Sequence, residues 1–189
     1  LRPMEVTMGI MQRMLLAVFR IGGTRLDVER SPHVQPGTGY IVVSNHQSMF
    51  DVPIFGGLLF SNYPKYISKR ELGRWLPSIS FNLKHGGNAL IDRDDPTQAR
   101  QAIRELGRAA EERNVAVVIF PEGTRSRDGQ LGSFRPGGLS ELLAAAPSLP
   151  VVPATIDGHK CVVLCGADSV IGVEIADGGE LWRYPFFNK

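Results

Sequence analysis

From Met4 to Ile21 the chain is almost wholly apolar, and its interruptions are regular: Glu5 and Gln12, then Arg13 and Arg20, recur at heptad distance. That spacing keeps one side of a helix polar, so the pattern predicts a helix with a narrow polar stripe, ended by Gly22 and Gly23. Such a helix suits a bilayer interface, with its arginines near lipid headgroups; a core helix or a subunit contact is the alternative. A Pro/Gly-rich link, SPHVQPGTG, follows. The run YIVVS, from Tyr40 to Ser44, then reads as a buried strand, and FDVPIFGGLLF as the start of a helix with Pro53 in its first turn.

Further along, Pro96 to Arg113 predicts a helix with Ile103, Leu106 and Ala110 on one face. The continuous apolar run VAVVIF, Val115 to Phe120, has the pattern of a strand covered on both faces, as parallel strands are. PEGTRSRDGQ is a polar loop directly after it, GGLSELLAAA a short helix, and LPVVPATI a third buried strand. Strands and helices thus alternate, which predicts an α/β fold: a single domain over residues 24–189 with a mostly parallel central sheet flanked by helices, preceded by an amphipathic membrane-interface helix over residues 1–23. The sequence holds no internal repeat.

Composition narrows this picture. A chain of 189 residues, 43% hydrophobic and 21% charged, has the size and content of one folded domain. The formal net charge of +2, without a long Lys/Arg run, gives no reason to expect nucleic acid as a partner. Cys161 and Cys165 lie in CVVLC; on a strand they stand about 13 Å apart, too far for a mutual disulfide, and read as reduced core thiols. No stretch approaches the roughly 20 apolar residues of a spanning helix, and the opening segment lacks a secretory cleavage pattern. A transmembrane segment upstream of Leu1 is left open.

The candidate chemistry begins in NHQSMFD, which places Asn45, His46 and Asp51 at the end of a strand, where open α/β sheets present reactive groups. Residues five apart on one helix point about 140° away from each other, so His46 and Asp51 can meet only if a turn precedes the helix. A carboxylate on one imidazole nitrogen fixes the tautomer and leaves the other nitrogen to accept a proton from an attacking hydroxyl. The spacing alone is weak, since a chance match is expected in roughly one such chain in five. A second feature agrees with it. In FPEGTRSRDG, Gly123 permits a tight turn, Thr124 offers a hydroxyl, and Arg125 a guanidinium able to hold a phosphate through two hydrogen bonds, with Glu122 placed to position either; a polar surface turn is the plainer reading. Lys69 and Arg70 in SKREL and Arg93 in NALIDRDD are further basic candidates, unspecific by themselves. There is no G-x-S-x-G elbow and no phosphate-binding glycine motif after a strand.

In order along the chain, NHQSMFD, SKREL, NALIDR, FPEGTRS and LPVVPATI resemble the N-H-x-x-x-x-D, K-x-E-L, G-x-x-F-I-D-R, E-G-T-R-S and V-P-x-x-I blocks of the glycerolipid acyltransferase family, especially the 1-acylglycerol-3-phosphate (lysophosphatidic acid) acyltransferases. The resemblance implies that His46 is the general base and Asp51 its orienting partner. It also implies that Glu122, Gly123, Thr124 and Arg125 form the acceptor site, assisted by Arg93, Lys69 and, in GSFRPGG, Arg135. It further implies an acyl-CoA or acyl carrier protein thioester as donor, a lysophospholipid acceptor, work at a membrane surface as a monotopic protein, and no metal or cofactor. Two departures stand out: Leu90 takes the place of an aromatic residue, and the match fades beyond His159. Within the family, glycerol 3-phosphate or another lysolipid is the rival acceptor, and a catalytically idle structural subunit is the rival class. The blocks leave the oligomeric state open.

Overall fold

The computed structural model describes residues 2–75, 77–126, 132–156, 161–165, 169–174 and 180–185. Five parallel strands form the central sheet: β1 (Ile41–Ser44), β2 (Lys65–Lys69), β3 (Ala89–Ile91), β4 (Val117–Ile119) and β5 (Val151–Ala154), in the order β3-β2-β4-β1-β5. The helices are α1 (Arg2–Ile21), α2 (Asp51–Leu58), α3 (Leu72–Trp75), α4 (Pro77–His85), α5 (Pro96–Arg113) and α6 (Pro136–Ala145), with a 3-10 turn at Phe60–Asn62. The mostly parallel α/β architecture read from the sequence is the observed one.

The two central strands are buried on both faces, and their alternation sorts the core into two layers. Ile41, Val43, Val115, Val117 and Ile119 pack with Ile103, Leu106 and Ala110 of α5 and Leu139 and Leu142 of α6. Tyr40, Val42, Ala116 and Val118 face the other way, onto Phe55 and Leu59 around α2 and Tyr66 of β2. Helix α5 has clear punctuation: the Asp95 carboxylate accepts from the N–H groups of Thr97 and Gln98, Pro96 opens the helix, and Asn114 closes it in the left-handed region at φ 51°.

Helix α1 has the two faces read from its sequence, and the structure shows which of them meets the domain. Glu5, Gln12 and Arg13 of its polar stripe lie against the domain, while Arg20 is exposed. Glu5 is buried, with Oε1 accepting from Lys65 Nζ at 2.5 Å and from Arg113 Nη2 at 2.5 Å. Arg13 Nε donates to the carbonyl of Gly57, and its guanidinium lies 4.2 Å from the centre of the Phe60 ring. The helices approach through glycines. A Cβ at Gly9 would stand 2.3 Å from Phe60, one at Gly56 1.9 Å from the Gln12 side chain, and one at Gly57 2.6 Å from Leu16. At its far end Phe19 meets Phe50 edge-on, with ring centres 4.6 Å apart. The outward face carries Ile10, Met11, Met14, Val18 and Ile21, the last three 64%, 61% and 87% exposed. No helix among the described residues is long and apolar enough to cross a membrane.

Beyond the central sheet, β6 (Cys161–Cys165), β7 (Ser169–Glu174) and β8 (Glu180–Pro185) form a separate antiparallel sheet that the sequence reading did not anticipate. CVVLC is indeed a strand; the surroundings of its thiols lie outside the described residues.

Candidate active site

Strands β1 and β4 are neighbours, yet the helices that follow them leave for opposite faces: α2 to the layer of Val42 and Val118, α6 to the layer of Val43 and Val117. A crevice opens beyond the carboxyl ends of two such strands, the place where ligands bind in open α/β sheets. The loops that carry NHQSMFD and FPEGTRS meet there, joined by Arg93 of NALIDR.

From β1 the chain runs into Asn45 and His46 and then turns before α2. One oxygen of Asp51 makes that turn. Its Oδ2 accepts from the N–H groups of Gln47 and Ser48 at 2.7 and 2.9 Å, and from His46 Nδ1 at 2.7 Å. The carboxylate is fully buried and the imidazole only 17% exposed. Because the acceptor is a carboxylate, hydrogen-bond logic places the proton on Nδ1 and leaves Nε2 with its lone pair. One face of the imidazole lies on Phe120, with ring centres 4.1 Å apart and planes inclined by 14°. Tautomer and ring orientation are therefore both set before any substrate arrives. Asn45 binds the main chain of Ile156 twice, donating to its carbonyl at 2.8 Å and accepting from its N–H at 2.9 Å, which continues the β1–β5 pairing past the last paired strand residues.

The second loop leaves β4 through Phe120 and Pro121. Gly123 adopts φ +69°, a conformation that other residues take only at a cost, so the chain can turn immediately after Glu122. Thr124 and Arg125 stand exposed beyond it. Two more guanidinium-bearing side chains converge on this turn. Arg93 Nη2 donates to the carbonyl of Gly123, and the Arg135 side chain passes 3.7 Å from where a Cβ on Gly123 would be. Burial lowers Arg93 from its ordinary value and the nearby Arg135 charge adds to this, while Glu71 opposes it. A place where cations crowd each other is one where an anion is stabilised.

The structure thus brings His46, Asp51, Glu122, Gly123, Arg93 and Arg135 together. Lys69 ends β2 beside Ile91 of β3, exposed at the same carboxyl edge of the sheet but two strands away from β1. Glu122 holds neither Arg125 nor Thr124: Oε1 accepts from the His46 N–H at 2.7 Å and Oε2 from the Gly132 N–H at 2.8 Å. The sequence reading assigned no role to Phe120, although its signal was there, an aromatic residue directly before PEGTR. It also gave none to Gly132, whose signal, a glycine closing a polar loop, is not specific.

Fold and site together define an α/β protein with a buried His–Asp pair and a cationic turn at the carboxyl edge of its sheet. The model of the acyltransferase family matches residues 25–157. The 1-acyl-sn-glycerol-3-phosphate acyltransferase alpha of Ovis aries is 32% identical over 154 residues, covering 81% of this chain and 52% of the relative. The 1-acyl-sn-glycerol-3-phosphate acyltransferase of Limnanthes douglasii is 35% identical over 143 residues, 75% of this chain and 48% of the relative. The crystal structure of the 1-acyl-sn-glycerophosphate (LPA) acyltransferase of Thermotoga maritima superposes with a TM-score of 0.52 at 30% identity, over 66% of this chain and 47% of that one. This chain belongs to the acyltransferase family. It spans about half the length of the relatives it matches.

Proposed function

We propose that the chain carries the catalytic centre of a 1-acylglycerol-3-phosphate O-acyltransferase, which moves a fatty acyl group from an acyl-CoA or acyl carrier protein thioester to the free hydroxyl of lysophosphatidate, in phospholipid synthesis. The observation that carries this reading is the 2.7 Å contact between His46 Nδ1 and buried Asp51. It leaves Nε2 as the base at the mouth of the crevice. As the hydroxyl oxygen attacks the thioester carbonyl, Nε2 takes its proton; the new C–O bond forms, the C–S bond breaks, and the imidazolium returns the proton to the departing thiolate. Asp51 stabilises the imidazolium while it exists. Arg125, Arg93 and Arg135, with Thr124 and Lys69, supply the positive surroundings in which the acceptor's phosphate is held, so that a bimolecular attack becomes one between fixed partners. The reaction asks for no metal or redox cofactor.

The outward apolar face of α1 supports a monotopic placement, with that face in the lipid and the Phe19–Phe50 contact carrying it to the turn that holds the dyad. The test is thioester consumption with lysophosphatidate, glycerol 3-phosphate and other lysolipids as acceptors, using both donors. His46→Ala lowers turnover by about 100- to 10,000-fold, the usual contribution of a general base, while the acceptor still binds. Full turnover by that variant sinks the assignment. Turnover with glycerol 3-phosphate in preference to lysophosphatidate moves the acceptor, not the chemistry.

A further inference from the structure

Glu122 lies in the acceptor block, yet its position does not suit a substrate ligand. It is 5% exposed, and both carboxylate oxygens are taken by main-chain amides that belong to different parts of the site. Oε1 holds the N–H of His46, and Oε2 holds the N–H of Gly132, on the far side of the loop that begins at Gly123. The same loop grips His46 a second time, through the Ser126 N–H, which donates to the His46 carbonyl at 2.8 Å. The main chain of the dyad histidine is therefore fastened on both sides to the segment that presents Arg125. A Cβ at Gly132 would stand 2.9 Å from Oε2 of Glu122, so a larger residue there pushes that end of the carboxylate aside.

We propose that Glu122 is a positioning residue that acts through His46: a buried carboxylate strap that sets the placement of the dyad relative to the cationic loop, without touching either substrate. This rests on the acyl-transfer reading above. Charge-assisted hydrogen bonds from amides to a carboxylate are short and directional, so the strap fixes His46 more tightly than a neutral side chain would. Glu122→Gln breaks it asymmetrically. The amide oxygen can accept from one N–H, but the NH2 group then faces the other donor and repels it. Gly132→Ala disturbs the same strap without touching its charge, by crowding Oε2.

The experiment is steady-state acyl transfer by the full chain on detergent–lysophosphatidate micelles at saturating thioester, with wild type, Glu122→Gln, Gly132→Ala and the double variant. A strap predicts a kcat effect: about 100-fold lower for Glu122→Gln, the cost of displacing a catalytic group by an ångström, with the acceptor KM within about threefold. Gly132→Ala lowers kcat in the same sense but less. The double variant is no slower than Glu122→Gln alone, because both changes break one contact. A raised acceptor KM at wild-type kcat for Glu122→Gln makes it a substrate ligand and overturns the proposal, as do multiplicative losses in the double variant. If Glu122→Gln does not fold, as judged by circular dichroism, Gly132→Ala decides by its own kcat and KM. Failure of the underlying reading looks different: wild type itself does not transfer, or His46→Ala matches it.

Discussion

Helices α1 and α5 are built the opposite way round. On α5 the apolar residues Ile103, Leu106 and Ala110 enter the core, and Arg104 reaches from the surface to Glu141 of α6. On α1 the charged residue Glu5 is inside and Met14, Val18 and Ile21 are outside. Helix α5 is held by removing apolar surface from water, which is non-directional and tolerant of small shifts. Helix α1 is held by a buried carboxylate between two cations and by close backbone contact, which are directional and fail abruptly when one member is lost. Burial by itself would raise the carboxyl of Glu5, but the hydrogen bonds and charges of Lys65 and Arg113 hold it below its ordinary value. Lys65 is lowered chiefly by its own burial, with Glu5 opposing. An α5-type helix is complete in water; α1 presents its apolar side to whatever surrounds the protein.

The largest effect belongs to α1. Glu5→Ala strands Lys65 in the interior, and chemical denaturation shows a loss of about 3–5 kcal/mol, the cost of breaking a buried pair by removing one partner. The same contact gives acid sensitivity. Because the folded-state value of Glu5 is depressed, its stabilisation is complete above about pH 4.5, the ordinary carboxyl value, and disappears as the pH falls through the depressed value. The Phe19–Phe50 contact, followed by fluorescence of a Trp placed at Phe19, opens in that range, and Glu5→Gln removes this pH response. Next comes the core face of α5: Leu106→Ala costs about 2–5 kcal/mol in the same denaturation assay, with no added acid dependence. The smallest stability effect falls on the outer face of α1. Met14→Asp or Val18→Asp changes the unfolding free energy in detergent-free buffer by no more than about 0.5 kcal/mol. Sedimentation with phosphatidylglycerol vesicles nevertheless shows the variant weakened, and unchanged vesicle binding would remove the functional difference between the two helices.

Much of the fold could be read before any coordinates. Strands β1 and β4 announce themselves as continuous apolar runs because both their faces are covered, and α5 because Asp95-Pro96 and Asn114 mark its ends; LPVVPATI reads as equally buried, yet β5 is the edge of the sheet, with Pro153 exposed and its neighbours half-buried. Strands β2 and β3 do not: KYISK mixes lysines into the strand and ALI is too short to show any period. For α1 the sequence gives the two faces but not which one meets the protein, since that depends on Lys65 and Arg113, residues distant in the chain. The site divides in the same way. His46 and Asp51 are legible because the carboxylate folds its own local turn. The stacking of Phe120 and the amide contacts of Glu122 depend on two loops meeting, and a residue type does not reveal a main-chain partner.

The glycine seam between α1 and α2 has a further consequence. Seams filled by leucines derive their strength from water and lose it when the helix sits among hydrocarbon tails, which are as apolar as leucine. Where Gly56 and Gly57 let α1 approach within direct contact, and Gly9 lets the Phe60 ring of the following 3-10 turn do the same, cohesion comes from dispersion and from bonds such as Arg13 to the Gly57 carbonyl, as it does between helices in bilayers. The joint therefore depends less on water than a leucine-filled seam does, and α1 can exchange an aqueous neighbour for an oily one with these contacts intact.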